Sequence, residues 1–217
     1  MPRPRSVPYY PAFLDLCSRR VVVVGGGAVA TAKVRGLLEC QPALVVIAPR
    51  VSAELHQLAE AGEVSWIPRA YQPGDLAGAD LAFAASDDRA LNARVASEAR
   101  QLGIPVLTVD DVDNCDFIAP AVVRRGDVVV AISTGGRSPA MARRAREELE
   151  RIVPPDWGEL LEVAAAARER LGSGRARVPA AAWQAALGAT DLRRLVISGH
   201  IEEAIEHLLG QLEPVHG

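Results

Sequence analysis

The chain has 217 residues, 49% of them hydrophobic, and a formal net charge of −3, which leaves room for one large domain or two small ones and excludes a disordered chain. The acidic balance, with a pI near 5.8, argues against a nucleic-acid binder. No apolar run approaches the roughly 18 residues of a membrane span, and none follows the basic N-terminus as export would require.

The opening element is Val21-Val22-Val23-Val24, a β-branched run expected as a fully buried parallel strand. It leads directly into Gly25-Gly26-Gly27-Ala28-Val29-Ala30 and then a helix whose packing face carries Ala30, Val34 and Leu37. Gly25-x-Gly27-x-x-Ala30 is the small-residue form of a dinucleotide fingerprint. The first glycine makes a tight turn, the second lets a pyrophosphate approach the backbone, and the third small residue brings helix against strand. The free N–H groups of the helix N-terminus face the phosphates. Placed between a buried strand and a helix, this pattern points to a bound nicotinamide dinucleotide.

Strand and helix signals then alternate. Leu44–Ile47 is the second strand, followed by a helix from about Ser52 to Ala61, and Val64–Ile67 is a short third strand. Leu81–Ala85 is the fourth, ending at Ser86-Asp87-Asp88, where polar side chains can cap a helix that runs to Leu102 and stops at Gly103. Val106–Val109 is the fifth, ending at Asp110-Asp111. Right-handed crossovers make this an α/β fold, a Rossmann-type doubly wound parallel sheet with its ligand crevice at the strand C-terminal ends.

The pattern changes near residue 112. Ala119–Val123 and Val128–Ile132 read as a hairpin joined by Arg124-Arg125-Gly126-Asp127, and Ser138 and Pro139 open a helix to about Ile152. After Pro154-Pro155 the remainder reads as helical: Trp157–Leu171, a loop at Gly172-Ser173-Gly174, a helix around Ala180–Leu187, and His200–Leu212. The expected organisation is a nucleotide domain over 1–112, a hairpin-plus-helix module over 113–152, and an all-helical C-terminal domain over 153–217. A two-stranded hairpin is marginal alone. It must pack on the rest of the chain or pair with a second copy, which makes the module a candidate for dimerisation.

Asp110 is the leading catalytic candidate, because a carboxylate at the end of the fifth strand can take a proton while a hydride leaves for the cofactor. Asp has an equal tendency to cap turns, and Asp111, Asp113 and Asp116 lie close by. The end of the second strand reads Ala48-Pro49-Arg50, without the acid that many NAD sites place on the ribose hydroxyls. Pro49 and Arg50 are therefore candidates for the adenosine side, with Arg50 along the adenosine or on a 2′-phosphate. Ser86 and Asp87 are candidates at the end of the fourth strand.

Between Phe117 and Arg146 stand six arginines (124, 125, 137, 143, 144 and 146) against one acid, Asp127. They form either a solvated face or an anion site suited to carboxylates. Thr134-Gly135-Gly136, at the entry to the next helix, is either a nest for an anion or a plain loop. The three cysteines (Cys17, Cys40 and Cys115) are too scattered for a disulfide framework or a CxxC site, in keeping with a reducing cytoplasm. The histidines have no ligand-like grouping except His200 and His207, which stand two helical turns apart, too far for one tetrahedral zinc without other ligands, so no metal site is expected.

Taken together, Val21–Ala30, Ala84-Ala-Ser-Asp-Asp88 with Asn92, Val109-Asp110 with Cys115-Asp116-Phe117, Pro120–Asp127 and Ala131–Pro139 resemble the siroheme synthase N-terminal family. Its members are precorrin-2 dehydrogenases, some of which are also sirohydrochlorin ferrochelatases. The resemblance runs from Tyr10 to about Glu150. It implies oxidation of precorrin-2 to sirohydrochlorin with NAD, with Asp110 as the catalytic residue and Fe2+ as the metal where insertion occurs. It also implies that the tetrapyrrole's carboxylate arms meet the Arg124, Arg125 and Thr134–Arg137 region, and that the chain is a homodimer. Thr134 falls where some relatives have serine, Leu107-Thr108 where relatives often have an asparagine, and Thr31 where arginine is common. The rival is an NAD(H)-sensing Rossmann regulator without catalysis, which explains the fold but not the middle motifs.

Overall fold

The structure is a computed structural model that describes residues 9–172 and 178–212. The basic N-terminus, Ser173-Gly174 of the expected loop, and His216 lie outside the described residues. The chain divides into two units, Met1–Ala119 and Pro120–Gly217.

In the first unit the strands are β1 (Arg20–Val24), β2 (Ala43–Ile47), β3 (Ser65–Ile67), β4 (Leu81–Ala84) and β5 (Val106–Thr108). They form one parallel sheet in the order β3-β2-β1-β4-β5. The connecting helices are α1 (Ala28–Leu38), α2 (Ala53–Glu60) and α3 (Arg89–Leu102). The four valines of β1 are all within 1% of complete burial because both faces of the sheet are covered. Val21 and Val23 pack with Ala30, Val34 and Leu37 of α1 and Leu55 of α2. Val22 and Val24 pack with Val95, Ala96 and Ala99 of α3. Burial of each contributes about 1.5–3 kcal/mol. This is the doubly wound sheet expected from the sequence, with its chain reversal between β1 and β4.

The helix ends follow their signals. Ser52 caps α2 by accepting from Leu55 N–H, and Asp88 caps α3 by accepting from Ala90 and Leu91 N–H. Gly103 ends α3 in the left-handed region, φ 71°. The unit extends to Ala119 because the segment after β5 folds back onto it. A single 3-10 turn, Val112–Asn114, leads to Asp116, whose N–H donates to Val106 C=O while its carboxylate accepts from Val106 N–H. Phe117 then meets Phe83 edge to face, with ring centroids 5.4 Å apart.

In the second unit β6 (Ala121–Arg125) and β7 (Val128–Ile132) form the hairpin, followed by α4 (Pro139–Ile152) and α5 (Trp157–Leu171). The chain finishes with α6 (Ala180–Leu187), α7 (Thr190–Ile197) and α8 (Ile201–Leu212). The hairpin turn is shorter than the sequence suggested. Arg124 and Arg125 are strand residues, paired with Val129 and Val128, and only Gly126-Asp127 turn. Gly126, at φ 55°, supplies the positive φ that a two-residue loop needs. The tip packs on the start of α5, where a Cβ on Gly158 would stand 3.0 Å from Arg125 O.

Helix α7 corrects an expected connection. Leu192 and Val196, four apart and both within 4% of complete burial, give it an apolar stripe that packs with Val163, Ala167, Ala204 and Leu208. Arg193 of α7 grips Asp156 through two hydrogen bonds of 2.8 and 2.6 Å. Ser138 caps α4 by accepting from Met141 N–H, with Pro139 in its first turn.

Candidate functional site

The glycine turn after β1 is built by close approach. A Cβ on Gly25 (φ 133°) would stand 2.3 Å from Ala85 O, and one on Gly26 would stand 2.1 Å from Arg50 O. Both positions therefore exclude a side chain. Gly27 differs, because a Cβ there would meet nothing within 4 Å. Gly27 is also the N-cap of α1 and offers no side chain to the helix N–H groups. Ala28 and Val29 of the first turn are exposed, whereas Ala30 is wholly buried against the sheet. An open, uncapped helix N-terminus behind a glycine step fits a dinucleotide pyrophosphate.

The β2 loop is fastened to this turn. Ser52 N–H donates to Gly26 C=O over 2.8 Å. Thr31, at the position where arginine was the common residue, donates its hydroxyl to Gly27 C=O. The Ser52 hydroxyl lies 2.9 Å from Thr31 and also accepts from Leu55 N–H. Pro49 and Arg50 are exposed on this loop. At the end of β4, buried Asn92 clasps Ser86: its amide accepts from Ser86 N–H and donates to Ser86 C=O. The Ser86 hydroxyl donates to Asp87 and accepts from Asp88 N–H.

The four aspartates after β5 separate by what each touches. Asp111 accepts from the Asn114 amide at 2.6 Å. The Asp116 carboxylate is engaged with Val106 N–H. Asp113 is exposed on the 3-10 turn. Asp110 is exposed, its carboxylate makes no hydrogen bond or ion pair among the described residues, and its backbone is left-handed at φ 59°. A non-glycine residue in that region is costly and tends to mark functional sites, although Asp tolerates it better than most.

Cys115 holds the chain on the far side of that kink. Its sulfur accepts from Thr108 N–H at 3.2 Å and donates to the carbonyls of Thr108 and Asp111 at 3.2 and 3.3 Å. Burial pushes the thiol's pKa up, which keeps it protonated as a donor. Thr108 also donates its hydroxyl to Asn114 C=O. In the sequence Asn92 stood out only within the resembled motifs, and Cys115 and Asp116 only there and by residue type. Their bonds run to backbone groups that folding brings near, so no local pattern announces them.

The arginine excess of the second unit is partly spent. Arg144 pairs with Glu148, and Arg146 with Glu147 and Glu150, all on α4. Arg125 donates to the carbonyls of Arg124 and Glu150, the latter at 2.9 Å near the end of α4. Arg124 is exposed at the strand end. Arg137 and Arg143 are exposed, and their guanidinium groups have no carboxylate partner among the described residues. The Thr134 hydroxyl accepts from Ser138 N–H and donates to Ser138 C=O, which folds the turn over Gly135 (φ 63°) and Gly136 (φ 77°).

Comparison with known proteins agrees with this geometry. Residues 12–121, more than half of the chain, match the family described as putative NAD(P)-binding, and residues 125–152 match the sirohaem biosynthesis protein central family. The siroheme synthase of Photorhabdus laumondii subsp. laumondii is 41% identical over 209 residues, 94% of this chain and 44% of the relative. That of Methylococcus capsulatus is 44% identical over 163 residues, 75% of this chain and 34% of the relative. The chain thus spans less than half the length of these curated relatives. The solved structure of SirC, precorrin-2 dehydrogenase, is similar with a TM-score of 0.69 and 27% identity, covering 91% of this chain and 99% of that one. The chain thus belongs to the family described as putative NAD(P)-binding, continued by a segment of the sirohaem biosynthesis protein central family.

Proposed function

We propose that the chain is an NAD-dependent dehydrogenase that oxidises precorrin-2 to sirohydrochlorin in siroheme synthesis. The observation that carries this reading is Asp110: an exposed carboxylate on a left-handed residue just beyond β5, in the unit that also holds the glycine turn. The likeness to SirC, precorrin-2 dehydrogenase, over 91% of this chain supports it.

Gly25, Gly26 and Gly27 shape the turn, and Ala28 and Val29 N–H groups receive the pyrophosphate. Pro49 and Arg50 flank the adenosine, and Ser86 and Asp87 flank the nicotinamide side. The bound dinucleotide supplies a hydride acceptor. Asp110 takes the proton lost from the tetrapyrrole carbon skeleton, so that the substrate loses a hydride and a proton together. Arg124, Arg137, Arg143 and the Thr134–Gly136 turn receive the carboxylate arms of the tetrapyrrole, while Arg125 serves to hold the hairpin to α4.

We extend the proposal in three finer respects. The chain is a homodimer joined through the hairpin and α4, which leave Met141 and Ile152 exposed at 54% and 71%. Fe2+ enters as a second substrate, with Asp110 receiving pyrrole protons during its insertion. The protein works in the reducing cytoplasm, a reading supported by its three unpaired cysteines. No helix among the described residues is long and apolar enough to cross a membrane.

The test is an anaerobic absorbance time course with precorrin-2 and NAD. The sirohydrochlorin spectrum is the expected product, and ferrous ion added to the same cuvette reports insertion. A folded protein that binds NAD yet leaves precorrin-2 unchanged would overturn the enzyme reading in favour of the NAD(H)-sensing regulator.

A further inference from the structure

We infer that Cys115 is a positioning residue for Asp110: its sulfur bonds the backbone on both sides of that residue and so sets where the carboxylate points. This inference rests on the reading of Asp110 as proton acceptor. The Asp110 side chain is exposed and makes no hydrogen bond among the described residues, so its direction is fixed by its backbone alone. That backbone is left-handed, at φ 59°, a conformation that a non-glycine residue keeps where its surroundings impose it.

The chain entering Asp110 is tied to the sheet, because Val109 N–H donates to Ala84 C=O over 2.9 Å. The chain leaving it has no strand to join. It makes the single 3-10 turn Val112–Asn114 and is then bonded back to Val106 through Asp116. Cys115 closes the loop between these two anchors. Its sulfur accepts from Thr108 N–H at 3.2 Å, and its one proton is shared between Thr108 C=O at 3.2 Å and Asp111 C=O at 3.3 Å. Among the described residues no other side chain bonds the backbone on both sides of Asp110.

The neighbouring bonds brace this contact without replacing it. Asn114 N–H donates to Asp111 C=O at 3.1 Å, its amide donates to the Asp111 carboxylate at 2.6 Å, and its C=O accepts from the Thr108 hydroxyl at 3.0 Å. Removing the sulfur leaves Thr108 N–H without its partner and frees Asp111 from Thr108. Asp110 can then relax out of the left-handed region and carry its carboxylate off its aim. A misplacement of about 1 Å costs on the order of 100-fold in rate. None of the sulfur's bonds reaches the glycine turn, so dinucleotide affinity has no cause to change with it.

The test compares single-turnover rates of precorrin-2 oxidation with calorimetric NAD affinity in the full chain. Cys115→Ala is expected to lower the rate by about 10- to 100-fold with NAD affinity within about threefold of wild type. Cys115→Val, which keeps the bulk but not the donor, should do the same. Cys115→Ser, shorter but still donor and acceptor, should recover most of the loss. The decisive arm is a double-mutant cycle: in an Asp110→Asn background, Cys115→Ala should cost less than about twofold more, since a residue that acts through Asp110 has nothing left to position. An additive loss there, or a Cys115→Ala variant as fast as wild type, would overturn the inference and leave the dehydrogenase reading standing. Loss of NAD binding in both the alanine and valine variants would make Cys115 a support of the whole unit and equally overturn it. A wild-type chain that binds NAD without oxidising precorrin-2 would overturn the dehydrogenase reading and this inference with it.

Discussion

The nucleotide unit and the hairpin with α4 solve the burial problem differently. Every residue of β4 and four of five in β1 are buried, and helices from the same unit cover both faces of the sheet. In the hairpin only Val123 is buried, and α4 buries no residue. The first unit has completed its core, whereas the second segment carries strands and a helix without one. A completed core can hold catalytic atoms to a fixed geometry, and an incomplete one offers surface to something else. On this difference rests the proposal that the chemistry lies in the first unit and that association and substrate charge involve the second.

The comparison breaks most visibly at Asp110. Asp110→Asn should lower kcat for precorrin-2 oxidation by about 100- to 10,000-fold with dinucleotide affinity unchanged, as measured by absorbance and titration. If activity survives, the first unit is a binding module alone. The glycine turn sharpens the same point through a contrast. Gly25→Ala forces a Cβ to within 2.3 Å of Ala85 O and should destabilise the unit by roughly 1–3 kcal/mol in denaturant unfolding. Gly27→Ala meets no atom within 4 Å. It should keep the fold within about 1 kcal/mol and weaken dinucleotide binding about tenfold.

For the second segment, Met141→Asp with Ile152→Asp should convert a dimer to a monomer in sedimentation. Each lost apolar contact is expected to weaken association on the order of tenfold. A dimer that persists would move the interface off α4. The smallest effect is in the helical bundle. The Arg193 guanidinium holds the Asp156 carboxyl below its ordinary range, first through the hydrogen bonds between them. A depressed carboxylate stabilises the fold above its unfolded pKa of about 3.9 and loses that contribution as pH falls through the folded value. Melting temperature should therefore fall below about pH 4. Asp156→Asn should be a few degrees less stable near neutrality, with a shallower acid decline.

The two regions were also unequally legible in the sequence. A run of four valines, three glycines and a helical apolar spacing determine one another, so β1, the turn and α1 could be read locally. The caps at Asp88 and Ser138 and the stop at Gly103 were equally local. The hairpin was harder, because Gly126 and Asp127 can turn the chain either with Arg124 and Arg125 or without them. Cross-strand register decides between them, and sequence alone does not contain it. Helix α7 was hidden because its eight residues lie between a glycine and a helix-like stretch, and its stripe gains meaning only against α8. Around Asp110 the candidates were legible by type, but their separation was not. It took the bonds of Asp111 to Asn114 and of Asp116 to Val106 to leave Asp110 unengaged.

The fold-back after β5 has a consequence beyond catalysis. An outermost strand ordinarily displays a row of unsatisfied donors and acceptors on which a neighbouring polypeptide can dock and propagate a sheet. Here the chain fills that row itself, with a carboxylate and an amide on Val106 and a thiol on Thr108. The opposite margin, β3, is only three residues long. A parallel sheet so terminated gives intermolecular strand addition little to begin on, and the same residues that steady the loop after β5 protect the protein against aggregation.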